Sequence, residues 1–198
     1  MFNEQLLKLS KVQQLSKYYL MQKCVSEQQV FSEVLDALYR VKNIQGKVYL
    51  IGNGGSAGIA SHFSIDILNV LKIPSFTFYD SSQLTCLAND YGYEKIFSTP
   101  LSIALKEGDL LIAISSSGNS SNILEGVKTA KSLGTKIITF SGFSEENPLK
   151  KLGDINFWAN SKEYGIVETI HFFWLHTIID SWLKYVSKCE ELVSTGQG

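Results

Sequence analysis

Five short apolar runs, separated for the most part by helix-length segments, constrain this chain more than any other feature. KVYLIG (47–52), SFTFYD (75–80), DLLIAIS (109–115), TKIITFS (135–141) and DINFWAN (154–160) are β-branched or aromatic and are bounded by Gly, Asn, Asp or Ser. The stretches 56–70, 83–105 (with a break expected near Tyr91–Gly92) and 120–133 have the length and composition of helices. Such alternation builds βαβ units. It predicts an α/β fold with a doubly wound, mostly parallel five-stranded sheet and helices on both faces. The first 45 residues follow a different pattern. Val30, Val34, Leu38 and Val41, backed by Phe31 and Leu35, recur at helical spacing, which predicts a helical N-terminal extension of two helices. A long helix is expected over 164–188. With 198 residues and no repeat, low-complexity tract or linker, the chain is read as one domain, 1–198.

The composition excludes several classes. A net charge of −1 argues against a nucleic-acid binder held by a basic face. Cys24, Cys86 and Cys189 are widely spaced and form no CxxC, which fits a reducing compartment. The N-terminal stretch lacks the basic start and apolar block of a signal peptide, and no run of 18 uncharged apolar residues suggests a membrane span. A cytoplasmic protein is expected.

In a doubly wound sheet, ligands sit where the C-terminal ends of strands meet the N-termini of the following helices. Two strand ends carry unusual loops. In GNGGSA (52–57), Gly52, Gly54 and Gly55 flank Asn53 and allow close approach of the backbone. Ser56 is expected at the helix N-cap, at the positive end of the dipole. The loop lacks the Gly-Lys-Ser/Thr of a Walker motif. It fits the dinucleotide pattern G-x-G-x-x-A, with Asp80 ending the next strand, and it equally fits a tight capped turn. The second loop, ISSSGNSSN (114–122), has five serines between Ser115 and Ser121. Hydroxyls and free N–H groups donate without adding charge, so Ser115, Ser116, Ser117 and Ser120 can ring a phosphate monoester. Ser120 can also cap the next helix, but five serines cannot all be caps. A dinucleotide needs one phosphate loop and this chain has two, so phosphate binding without a nucleotide cofactor leads.

GNGGSA, the His-Phe pair that follows it, ANDYGYEKIF (88–97) and AISSSGNSSNIL (113–124) resemble the sugar-isomerase (SIS) domain family. More closely, they are similar to its sedoheptulose-7-phosphate (phosphoheptose) isomerases. The resemblance runs from about residue 45 to 180. It implies that the serines hold the phosphate of a phosphosugar, with Asn53, Gly54, Gly55, Ser56, Asn89 and Asp90 as further substrate contacts. It also implies a homotetramer with active sites between chains.

The acid–base candidates lie on two helices. In ASHFSID, His62 and Asp66 are one turn apart on one face; in YGIVETIHFFWLH, Glu168 and His171 share a face. His176 follows Glu168 by eight residues, about 80° round and ~12 Å along the axis. Buried, internally satisfied polar groups are the plain alternative. Against it, all three histidines of the chain fall on these helices together with two carboxylates. The family resemblance implies a carboxylate base and a histidine acid and, in some members, zinc held by His, Glu, Gln and His. Those positions fall on His62, Asp66, Glu168 and His176.

This chain departs from the pattern in having Asp66 for Glu, Glu168 for Gln, and Gly165 and Ile166 for a preceding Asp-Arg pair. Two imidazoles and two carboxylates still suit a divalent metal such as zinc. The expected chemistry is aldose–ketose isomerisation through an enediol, with Asp66 or Glu168 as base, His176 as acid and His62 as metal ligand. His171 is either an added ligand or a supporting group. Phe172, Phe173, Trp174 and Trp182 give the last helix apolar side chains in nearly every direction, which predicts a subunit interface and a homo-oligomer. The alternative functions are a non-catalytic SIS module, sensing a phosphosugar or binding a replication initiator, and a dinucleotide-binding domain.

Overall fold

The computed structural model describes residues 1–194, with side chains described through Glu191. Helix α1 (Phe2–Leu15) leads into a hairpin of β1 (Lys17–Leu20) and β2 (Lys23–Val25), followed by α2 (Glu27–Asn43). The alternating part opens with β3 (Val48–Ile51), α3 (Gly55–Asp66), β4 (Ser75–Phe76), α4 (Ser81–Tyr91) and α5 (Ser98–Ala104). It continues through β5 (Leu110–Ser115), α6 (Ser121–Ser132), β6 (Lys136–Ser141), α7 (Pro148–Leu152), β7 (Ile155–Trp158) and α8 (Tyr164–Ser194).

All seven strands join one sheet in the order β2-β1-β7-β6-β5-β3-β4. The five strands β3 to β7 are parallel, as the alternation predicts, while β1 pairs antiparallel with β7 and carries β2 on its outer edge. The sheet thus has two strands more than expected, and the N-terminal segment is not wholly helical. The hairpin turns at Met21 and Gln22, both with positive φ (45° and 71°). Turns of this kind are normally marked by Asn-Gly or Asp-Gly. Neither residue carries that signal, so KYYL-MQ-KCV reads as an interruption between helices.

The two expected N-terminal helices do form. Helix α2 opens on a capping box between Ser26 and Gln29 and buries Val30, Val34, Leu35, Leu38 and Val41. One break falls where it is expected, and one strand is shorter than expected. The stretch 83–105 breaks at Gly92 (φ 90°) into α4 and α5, and the edge strand β4 pairs with β3 only at Ser75 and Phe76.

Every residue of β5 is buried, as a central strand covered on both faces requires. One face packs under α2, α3 and α8, around Phe63, Phe140, Trp174 and Trp182; the other packs under α5 and α6, around Ile51, Phe97, Leu111 and Ile123. Helix α8 turns Val167, Ile170, Trp174, Leu175, Ile178 and Trp182 into its own core. Each such burial stabilises the fold by about 1.5–3 kcal/mol. The all-round apolarity expected of this helix is therefore mostly consumed within the subunit. Tyr164, Phe173 and Leu183 stay exposed.

Because α3 leaves β3 on one face and α6 leaves β5 on the other, the winding reverses between these neighbouring strands and opens a crevice at their C-terminal ends. Both unusual loops stand there. No helix among the described residues is long and apolar enough to cross a membrane.

Candidate active site

The GNGGSA turn follows β3 and the serine loop follows β5, its direct neighbour in the sheet. A reciprocal amide pair ties the two loops together: Asn53 Nδ2 donates to Asn122 Oδ1 (2.8 Å), and Asn122 Nδ2 donates to Asn53 Oδ1 (2.9 Å). The Tyr93 hydroxyl adds a bond to Asn53 Oδ1 at 3.3 Å. Between the loops lies a cavity of about 240 Å³. It is lined by Asn53, Gly54, Gly55 and Ser56 from one loop, Ser115, Ser116, Ser117 and Ser120 from the other, and Tyr164 and Glu168 from α8. Glu168 is the one charged residue in that lining, so an anion entering there would meet neutral donors.

The donors are poised rather than spent. Helix α3 starts at Gly55 with Gly54 as N-cap (φ 52°). Ser56 is therefore not the cap expected from sequence; it sits in the first turn, where N–H groups have no intrahelical acceptor. Gly55 lets the Glu168 carboxylate lie close against the backbone, where a Cβ would displace it. Ser120 is the N-cap of α6 but its side chain makes no cap bond; its hydroxyl lies 3.3 Å from Ser115 Oγ. Ser117 Oγ accepts from Asn119 N at 3.2 Å. Ser116 Oγ is buried without a partner. A buried polar group left unpaired costs about 1–3 kcal/mol, and an anion in the cavity would supply the missing acceptor.

Other predicted residues are placed elsewhere. Asp80, the acid of the dinucleotide reading, caps α4 by accepting from Gln83 N at 3.0 Å. Asn89 and Asp90 lie exposed on α4 and do not line the cavity; the Asp90 carboxylate accepts from Asn89 Nδ2 (2.8 Å) and Cys86 Sγ (3.4 Å).

A second constellation lies further along α3 and α8. His62, Asp66 and His176 each offer a ligand atom within 4.8 Å of the others. His62 Nε2 is 3.2 Å and His176 Nδ1 4.0 Å from the same Asp66 oxygen. Phe63 and Phe172 pack against both imidazoles, with ring centroids 4.6–5.0 Å apart. Immediately after Asp66 the helix passes into a π-turn (Ile67–Leu71), a form common at functional sites. Two imidazoles and one carboxylate, partly open to solvent, could hold a divalent metal such as zinc.

Glu168 does not join this group. It precedes His176 by about 12 Å along α8, and its carboxylate stands against Gly55 in the serine cavity. His171 turns away as well. It is wholly buried, donates from Nε2 to the Ser141 carbonyl at 3.0 Å, and has its pKa lowered by burial to about 4. It is a neutral core residue rather than an added ligand. Asn122 and Tyr164 were not foreseen. The one signal for Asn122 is an amide at the start of an otherwise apolar helical stripe, and Tyr164 gave none.

Residues 16–142 match the family model of the SIS domain. The chain is 37% identical over 138 residues to the phosphoheptose isomerase of Campylobacter concisus, covering 67% of this chain and 72% of that one. It belongs to the phosphoheptose isomerase branch of the SIS domain family. A second relative in that branch, the phosphoheptose isomerase of Fusobacterium nucleatum, is 35% identical over 173 residues, covering 83% and 89% of the two chains. The solved structure of a phosphoheptose isomerase from Francisella tularensis matches with a TM-score of 0.72 at 28% identity, over 77% of this chain and 84% of that one.

Proposed function

We propose that this SIS-family isomerase interconverts sedoheptulose 7-phosphate and an aldose heptose 7-phosphate, in heptose biosynthesis for lipopolysaccharide or capsule. The observation that carries the reading is the cavity of neutral donors, with the orphaned Ser116 hydroxyl, on the same pair of helices as the His62–Asp66–His176 cluster. The substrate's phosphate sits on C7 while reaction occurs at C1 and C2, the opposite end of the open chain. A residue beside the phosphate is therefore badly placed to take the proton, which favours Asp66 over Glu168 as base. Asp66 removes a proton from C1 of the ketose while His176 protonates the C2 carbonyl oxygen to give the enediol; Asp66 then returns its proton to C2 as His176 takes the O1 hydroxyl proton, leaving the C1 aldehyde. Glu168, beside the phosphate, instead limits which anion the cavity accepts.

Alternatively, His62, Asp66 and His176 would hold a divalent metal, zinc by the chemistry of the donors, which would take over from His176 the polarisation of the carbonyl. A homo-oligomer, of tetrameric form in the resembled family, is supported by the exposed Phe2, Leu6 and Leu7 on α1 and Phe173 and Leu183 on α8. Such an assembly would also shelter the half-open histidines. The three free cysteines favour the cytoplasm. Incubation with sedoheptulose 7-phosphate, read by NMR, should show an aldose heptose 7-phosphate accumulating. Tight binding without turnover, in metal-replete protein, would identify a sensing module instead.

A further inference from the structure

The serine loop does not hold its own shape. Its Ser116 carbonyl accepts from Gly142 N (2.9 Å) and its Gly118 carbonyl from Leu149 N (3.1 Å), so it is supported by the segment 142–149, which follows β6, the neighbour of β5 opposite β3. In a trans peptide the N–H points opposite to the C=O. Drawing the Ser116 carbonyl towards Gly142 therefore directs the Ser117 N–H the other way, while the Asn119 N–H turns back to Ser117 Oγ (3.2 Å) and fixes that hydroxyl. Gly118 takes φ 65°, and a Cβ there would overlap the Asn147 side chain. The loop rests directly on that amide.

Asn147 is only 1% exposed, and its amide is fully engaged. Nδ2 donates to Ser144 O (2.8 Å), Ser141 Oγ (3.1 Å) and Gly142 O (3.4 Å); Oδ1 accepts from Lys150 N (2.9 Å) and so caps α7. One side chain thus fixes both Gly142 and the start of α7, the two points that grip the loop. The outer edge of the segment is tied to the unforeseen hairpin, because the Glu145 carboxylate accepts from Lys17 Nζ (2.8 and 2.9 Å) and from the Tyr19 hydroxyl.

We propose that Asn147 is a positioning residue for phosphate binding, acting through Gly118 and Gly142 to aim the serine-loop donors. This rests on the reading of that loop as the phosphate site. The test is steady-state kinetics with sedoheptulose 7-phosphate and inhibition by inorganic phosphate, on Asn147→Ala, Asn147→Asp and Ser116→Ala. Asp keeps the α7 cap but replaces the donating NH2 with a carboxylate facing two carbonyls. Both Asn147 variants should raise KM and the phosphate inhibition constant at least tenfold while kcat stays within threefold. Asn147→Ser, smaller and still able to cap, replaces the alanine variant if that one fails to fold. KM and inhibition unchanged in the Asn147 variants, with KM raised in Ser116→Ala, would overturn the positioning role alone. A parallel fall in kcat would also overturn it, since general loosening reaches the catalytic cluster. An unchanged KM in Ser116→Ala would remove the phosphate reading and this inference with it.

Discussion

The two halves of the site are built on opposite principles. The serine cavity is made of backbone and hydroxyl groups, Ser56, Ser115 and Ser116 being under 6% exposed, and no cation lines it. The His62–Asp66–His176 cluster is made of ionisable side chains, with His62 and His176 exposed by 44% and 39%. Neutral donors can be buried once they are bonded, whereas a proton acceptor must stay able to change charge. Under the proposed function the difference is a division of labour: one end would grip a fixed charge, mostly with groups that do not titrate, and the other would handle protons.

The comparison breaks most visibly at Asp66. If proton transfer belongs to the cluster alone, Asp66→Asn should lower kcat by about 10²–10⁴-fold with KM little changed, since a positioned base contributes roughly that factor. A shift in KM alone would move the base elsewhere. The serine end should respond the opposite way. Ser116→Ala removes a donor to a charged oxygen, worth roughly 1.5–3 kcal/mol, so KM should rise about 10–150-fold. Because the hydroxyl is unpaired without ligand, thermal stability of the free protein should not fall. A lowered melting temperature would mean that the hydroxyl is paired in the fold.

Glu168 lies at the gripping end by position but is ionisable by chemistry, which makes it the sharpest probe of the boundary. Glu168→Gln restores the amide usual in the resembled family. It should lower KM about two- to tenfold by removing a carboxylate beside the phosphate, in line with the modest worth of a partly screened charge contact. Loss of kcat instead would make Glu168 the base.

How far the sequence reveals this depends on how local each feature is. The serine loop is one contiguous segment at the end of an apolar strand, so its place at the crevice can be read directly. His62 and Asp66 are one helical turn apart, and that spacing places them together. His176 joins them across helices, which spacing alone does not dictate. For Glu168 and His171 the periodicity of α8 marks a shared face, but which face meets the sheet is decided by packing around Phe140 and Trp174. The β1–β2 hairpin lacked a turn signature, and the support from Asn147 depends on a contact between loops that no local pattern encodes.

A smaller effect separates the core histidine from the half-open pair, His62 and His176. His171 has a folded pKa of about 4, lowered by burial from 6.5. The unfolded chain therefore binds more protons between these values. The stabilisation is complete above about pH 6.5 and is lost as pH falls towards 4, by up to about 3 kcal/mol. Denaturant unfolding at several pH values should show this slope in the wild type and a shallower one in His171→Gln. Equal slopes would mean that His171 is not held neutral.

The most direct measurement is a crystal structure of Asp66→Asn soaked with sedoheptulose 7-phosphate. The expected result places the phosphate within hydrogen-bond reach of Ser116 Oγ and the serine-loop N–H groups, with C1 and C2 beside residue 66 and His176. A phosphate bound outside the serine cavity, or C1 and C2 lying against Glu168, would contradict the division between gripping and catalytic ends.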